Sequence, residues 1–333
     1  MSYDVYGLGN ALVDMEFAID DGFLRRNRIV KGHMTLVDEP RLIEVLSNLE
    51  GVTPKHASGG SAANTMLAAQ AFGASTFYSC KVASDDVGER FLRDLNHSGI
   101  QTNPHPKEQP GKSGQCLVLV TPDAERSMNT FLGISQYLSV REINERALLA
   151  SRHLYIEGYL SSSETAREAA ILCREIAETH GVKTALTLSD PSMVRHFRDQ
   201  LTTMLGEGVD HLFCNEEEAL GWARTDRLDV AINELKDVGR AINITLGARG
   251  SLIASGRQRK EVAGFPVRPI DTNGAGDIYA GACLYAWSRG ATEEEAARFA
   301  NYAAAQLVTR YGARLENVDT YRQVKRSYEA LGA

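Results

Sequence analysis

Asp271-Thr272-Asn273-Gly274-Ala275-Gly276-Asp277 runs straight into IYAGACLYAW, residues 278–287: a turn of small residues followed by a helical stretch. Small residues let a backbone approach a ligand closely. The first N–H groups of a helix have no partner within it and point outward. With the helix dipole they favour an anion, such as a phosphoryl group in transfer. Asp277 stands beside those donors, and the expectation is an ionised carboxylate that takes up a hydroxyl proton. The plain alternative is a glycine-rich turn with Asp277 as a helix cap.

Two other glycine clusters compete for the same reading. Gly7-Leu8-Gly9 follows the first β-rich run, but a dinucleotide fingerprint needs glycine at position 12, which is Leu12. That argues against a nicotinamide-dependent oxidoreductase. Gly111-Lys112-Ser113 looks like the end of a Walker A loop, yet Pro106 stands where its first glycine belongs. The β-rich QCLVLVT follows where a helix is needed, so a plain turn is expected.

Working outward, short β-rich runs alternate with helical ones, the signature of a layered α/β fold. Strands are expected at Tyr3–Leu8, Val182–Leu188, His211–Cys214, Ala241–Leu246 and Ser251–Ala254. Helices are expected at Ser61–Phe72, closed by Gly73, and at about Glu164–His180, ending at Gly181. Asp190-Pro191 reads as a turn. Ile278–Trp287 reads as a helix, and Thr292 with Glu295 as a capping box for a helix reaching Arg310. Residues 11–39 and 101–130 look like strands without intervening helices. They suggest a small β-sheet lid, too small for a core of its own, within a single domain spanning 1–333.

The totals narrow the function classes. The 333 residues carry 36 Lys+Arg against 43 Asp+Glu, a formal net charge of −7. That balance argues against a nucleic-acid partner. Cys80, Cys116, Cys173, Cys214 and Cys283 are scattered and form no C-x-x-C pair, as expected in a reducing cytosol. MSYDVYGLGN lacks the pattern of a signal peptide, and no apolar run nears the roughly 20 residues that span a bilayer. The expectation is a cytoplasmic protein with no membrane partner.

DTNGAGD resembles the D-T-x-G-A-G-D signature of the ribokinase-like (PfkB) carbohydrate and nucleoside kinases. Further matches follow in order along nearly the whole chain. The resemblance implies a three-layer α/β/α fold with a mostly parallel central sheet and a small β-sheet lid. It also implies transfer of the ATP γ-phosphoryl group to a primary hydroxyl, with Asp277 as base and Gly274, Ala275 and Gly276 as anion hole. Gly59-Gly60, followed by Asn64, resembles the family's early signature, and Asp14 its substrate-gripping aspartate. Asn215 and Glu218 match the N-x-x-E pattern that organises phosphates and Mg²⁺ through water. Thr245, Gly247 and Gly250 match the T-x-G-x-x-G nucleotide loop, and Asn301 is placed beside the adenine. By the same match, the carbonyls of Asp271, Asn273 and Val308 would bind K⁺.

GLGNALVDM and Ala124-Glu125-Arg126-Ser127-Met128 are most similar to adenosine-kinase-like members, which implies a nucleoside acceptor and a phosphate-directed Arg126. The chain departs from eukaryotic adenosine kinases after the double glycine, where it has Ser61-Ala62-Ala63-Asn64. A sugar or sugar-phosphate acceptor is the alternative, with Lys107 and Lys112 as candidate basic groups near the lid. Either a monomer or a lid-mediated homodimer is compatible with this resemblance.

Overall fold

Tyr3–Leu8 forms a strand in the interior of the large sheet. Val5 faces one layer of helices, while Tyr6 and Leu8 face the other, as the period of two along a strand requires. The computed structural model describes residues 2–32, 34–103, 109–123 and 125–332.

Among these residues the large sheet has nine strands. Their order from one edge is Gln258–Ala263, Gly250–Ser255, Gly239–Thr245, Val209–Asn215, Lys183–Thr187, Ser151–Glu157, Tyr3–Leu8, Thr76–Ser79 and Gln101–Thr102. Pairing is parallel from Gly239–Thr245 to the far edge, and both ladders of Gly250–Ser255 are antiparallel. Helices Ser61–Phe72, Ala275–Ser288, Glu293–Leu307 and Val318–Ala330 cover one face. Helices Glu164–Thr179, Pro191–Leu205, Glu216–Ala223 and Leu228–Leu235 cover the other. This is the expected three-layer α/β/α arrangement.

Local signals set most boundaries. Gly73 closes its helix in the left-handed conformation, and Thr292 and Glu295 form the reciprocal capping box. That last helix stops at Leu307, short of Arg310. Asp190-Pro191 is not a free turn: the Asp190 side chain caps Pro191–Leu205, with proline at the start, where a missing N–H costs nothing.

Among the described residues the lid is a second sheet of five strands, ordered Met34–Leu36, Arg126–Phe131, Gly114–Val120, Leu12–Ala18 and Lys55–Gly59. Three details differ from expectation. A short helix, Asp21–Arg26, interrupts residues 11–39. Gln101–Thr102 joins the large sheet, and Lys55–Gly59 completes the lid instead. The lid also has its own core: Phe17, Leu117, Leu119 and Phe131 pack against Phe23, Leu42 and Val45 of Asp21–Arg26 and Glu39–Ser47. Those helices cover its outer face and leave its inner face to the body.

Candidate active site

Open parallel sheets bind ligands beyond the carboxyl ends of their strands. Asn10, Glu157, Thr187, Asn215 and Thr245 each lie at or just past such an end. All five line one cavity of about 670 Å³, together with Gly274–Asp277 and the inner face of the lid.

Asp277 reaches this cavity through close helix packing. A Cβ at Gly281 would come 2.6 Å from Thr65 O, so only a small residue lets Ala275–Ser288 cross Ser61–Phe72 at this distance. The crossing brings Ser61 and Asn64 onto the carboxylate. Ser61 Oγ donates to Asp277 Oδ1 at 2.7 Å, and Asn64 Nδ2 donates to Oδ2 at 2.9 Å. Burial pushes the Asp277 carboxyl up to about 6, against the hydrogen bonds from Ser61 and Asn64 and the charge of Arg314. The expected ionised form therefore holds at neutral pH and is lost in mild acid.

Gly274 precedes the helix with φ of 73°, and a Cβ there would collide with the Ala313 carbonyl. The Ala275 N–H donates to Thr272 O at 3.2 Å. Ala275 is thus already committed, and the helix-start donors open to an anion are those of Gly276 and Asp277.

Asp14 lines the same cavity. Burial raises its carboxyl to about 6, while Arg314 and Arg126 oppose the rise. Gly59 contributes by absence of bulk, since a Cβ there would strike the Asp14 carboxylate. Gly60 has φ of 97°, and its Cβ would lie 2.6 Å from Asn10 O. Glu157, which sequence reasoning passed over, binds these pieces together. Its Oε1 accepts from Asn10 N and Nδ2, both at 2.7 Å, and Oε2 accepts from Ala62 N at 2.8 Å. The signal was a lone acid ending the apolar run HLYIE, where an unpaired charge would be costly.

Asn215 and Glu218 line the cavity and also make a capping box. Glu218 N donates to Asn215 Oδ1 at 2.8 Å, and Asn215 Nδ2 donates to Glu218 Oε1 at 2.7 Å. Burial pushes the Glu218 carboxyl up to about 8, a state that a nearby cation would relieve. Asp190, Glu216 and Glu217 add oxygen donors to the lining. Among the described residues no three His, Cys, Asp or Glu groups form a metal cage. A few carboxylates without a cage suit Mg²⁺, which keeps waters and leans on substrate phosphates.

Thr245 and Gly247 line the cavity, but Gly250 and Asn301 do not. Gly250 has φ of 98° and admits the neighbouring strand, since a Cβ would collide with Val262 O. Asn301 is buried and donates to Val262 O at 2.9 Å and Ala263 O at 3.3 Å. Its amide ties a helix to the edge strand and is turned away from the main cavity.

Arg126 is turned away from the main cavity into a neighbouring one of about 590 Å³. It pairs with Glu16 at 3.1 Å and Asp271 at 2.6 Å, so its charge is spent on carboxylates and not on phosphates. Asp271 Oδ1 accepts from Asn273 N at 3.0 Å and Oδ2 from Gly312 N at 2.6 Å, which holds the turn in shape. The Val308 carbonyl accepts the N–H groups of both Ile270 and Asp271, at 2.7 and 3.2 Å. A cation at that carbonyl would compete with both bonds. Lys112 pairs with Glu39, and Lys107 and Ala124 lie outside the described residues. Among the described residues no Lys or Arg lines the main cavity.

The profile of the pfkB family of carbohydrate kinases matches residues 33–320. Adenosine kinase 1 of Arabidopsis thaliana is 26% identical, over 92% of this chain and 94% of its own. Ribokinase of Haemophilus influenzae is 27% identical, over 84% and 90%. The crystal structure of adenosine kinase from Sinorhizobium meliloti superposes with a TM-score of 0.90 at 34% identity, covering 97% of this chain and 99% of that one. A probable sugar kinase from Rhizobium etli gives a TM-score of 0.90 at 31% identity, covering 98% and 99%. Among the described residues no helix is long and apolar enough to cross a membrane.

Proposed function

The chain belongs to the pfkB family of carbohydrate kinases, and from that premise we propose that it transfers the γ-phosphoryl group of ATP to a primary hydroxyl of a nucleoside. The observation that carries the acceptor class is the cavity's lid side. Leu12, Met34, Leu36, Cys116, Met128 and Leu132 make an apolar wall, and Leu36 is 44% exposed there. A flat base covers such a wall, whereas a free sugar offers it hydroxyls. A sugar phosphate would want cations, and the described lining holds none.

The roles follow from the geometry. Asp14 accepts hydroxyl hydrogen bonds from the acceptor, with Gly59 giving it room, Gly60 letting the double-glycine turn close on Asn10, and Asn64 lining the same cavity. Asp277 takes the proton of the attacking hydroxyl. The N–H groups of Gly276 and Asp277, on the turn that Gly274 shapes, receive the phosphoryl oxygens. Thr245 and Gly247 border the nucleotide, and Asn215 with Glu218 faces its phosphates. Magnesium, when bound, supplies positive charge to those phosphates. The lid and body act as one catalytic unit. The covered outer face of the lid favours a monomer, which light scattering checks.

A panel of nucleosides, ribose, fructose and hexose phosphates, assayed by ADP release, tests the acceptor class. The expected result is a higher kcat/KM for a nucleoside. Faster turnover of a free sugar replaces this reading with a sugar kinase. Asp14→Ala should raise the acceptor KM by roughly tenfold or more while leaving the KM for ATP nearly unchanged, since it removes charged hydrogen bonds made to one substrate only.

A further inference from the structure

Asn64 is held between two charged groups that leave its amide one orientation. Arg314 Nε donates to Asn64 Oδ1 at 2.6 Å, and Asn64 Nδ2 donates to Asp277 Oδ2 at 2.9 Å. A guanidinium only donates and a carboxylate only accepts, so turning the amide round loses both bonds. Arg314 is itself held by Asp94, whose Oδ2 accepts from Nη1 at 3.0 Å. The side chain is 13% exposed, and its Nη2 is buried without an acceptor among the described residues.

We propose that Arg314 is a positioning residue for phosphoryl transfer: it sets the Asn64 amide to donate to Asp277 and so keeps the carboxylate aimed at the acceptor hydroxyl. The inference rests on Asp277 being the base. Electrostatics points the same way. Among the described residues, the ionisable groups that face Asp277 from neighbouring elements are Asp14, Tyr155, Glu157, Tyr159 and Tyr321, and none of them is a cation. Arg314 is the cation that opposes burial at Asp277. At Asp14 it is the larger of two, ahead of Arg126. Without it, Asp277 would stay protonated to higher pH.

The test is the acid limb of the pH–rate profile of the full chain, with a nucleoside acceptor. Arg314→Gln should lower kcat roughly ten- to hundredfold at neutral pH, the usual size of a lost charged hydrogen bond. Its acid limb should move up by about one unit. Arg314→Lys should restore the position of the limb but not the full rate, because one ammonium cannot reproduce the fork to Asn64 and Asp94. Asp94→Asn should move the limb the opposite way, since it leaves the guanidinium charge less compensated. An unmoved limb in Arg314→Gln overturns the proposal whatever the loss of rate. Should that variant fail to fold, an unmoved limb in Asp94→Asn overturns it instead. Turnover retained in Asp277→Asn is a separate outcome: it removes the base assignment, and this inference with it.

Discussion

Asp277→Asn is expected to cut kcat by roughly a hundredfold or more, the usual contribution of a positioned base. ATP affinity should change little, because the substitution keeps the shape of the helix start and its free N–H groups. The carboxyl is buried and pushed up to about 6, so its ionised form at neutral pH is held against desolvation. Replacing it with a neutral amide removes that cost, and the melting temperature should be no lower than that of the parent. Inactivity without destabilisation separates a lost base from a damaged fold. The same carboxyl is expected to set the pH dependence of the parent. A base works only when deprotonated, so turnover should level off above neutrality and fall to about half as pH drops to about 6. Undiminished kcat in Asp277→Asn would sink the assignment.

Gly274→Ala is expected to lower kcat by about a hundredfold, the scale on which misplacement by an ångström acts. The alanine would have to adopt φ of 73°, a left-handed conformation that costs about 1–2 kcal/mol for a residue with a Cβ. Its Cβ would also collide with the carbonyl of Ala313 and lie 2.7 Å from that residue's Cα. Backbone cannot swing aside as a side-chain tip can, so the turn itself must move and take the donors of Gly276 and Asp277 with it. A lowered melting temperature should accompany the loss. Gly276→Ala meets nothing within 4 Å at an ordinary φ, so its melting temperature should match the parent's. Wild-type turnover in Gly274→Ala would mean that the phosphoryl group lies elsewhere.

What could be read early and what could not divides along a physical line. The turn DTNGAGD, the helix after it, Gly73 as a helix end and Thr292 with Glu295 as a cap are set by residues within four positions of one another. Their chemistry is local, so the one-dimensional pattern was enough. The same turn and the double glycine carried the family resemblance. Asn215 and Glu218 were legible too, as a cap and as cavity residues at once.

Side-chain direction was not legible. Arg126 had the right charge and lies on a lid strand, but Glu16 and Asp271 draw it away from the cavity. Asn301 sits on the expected helix and turns its amide into the edge strand. Glu157 showed only as a lone acid in an apolar run, and Arg314 showed no signal at all.

The sequence alone determined the elements and the glycine-rich turn before the helix, because helix starts, caps and left-handed glycines depend on near neighbours. Only the tertiary structure decided which groups surround Asp277. Ser61 and Asp277 are 216 positions apart, and they meet because the small residues of two helices allow a close crossing. Which side chains such a crossing brings together is a property of packing, and no local spacing encodes it.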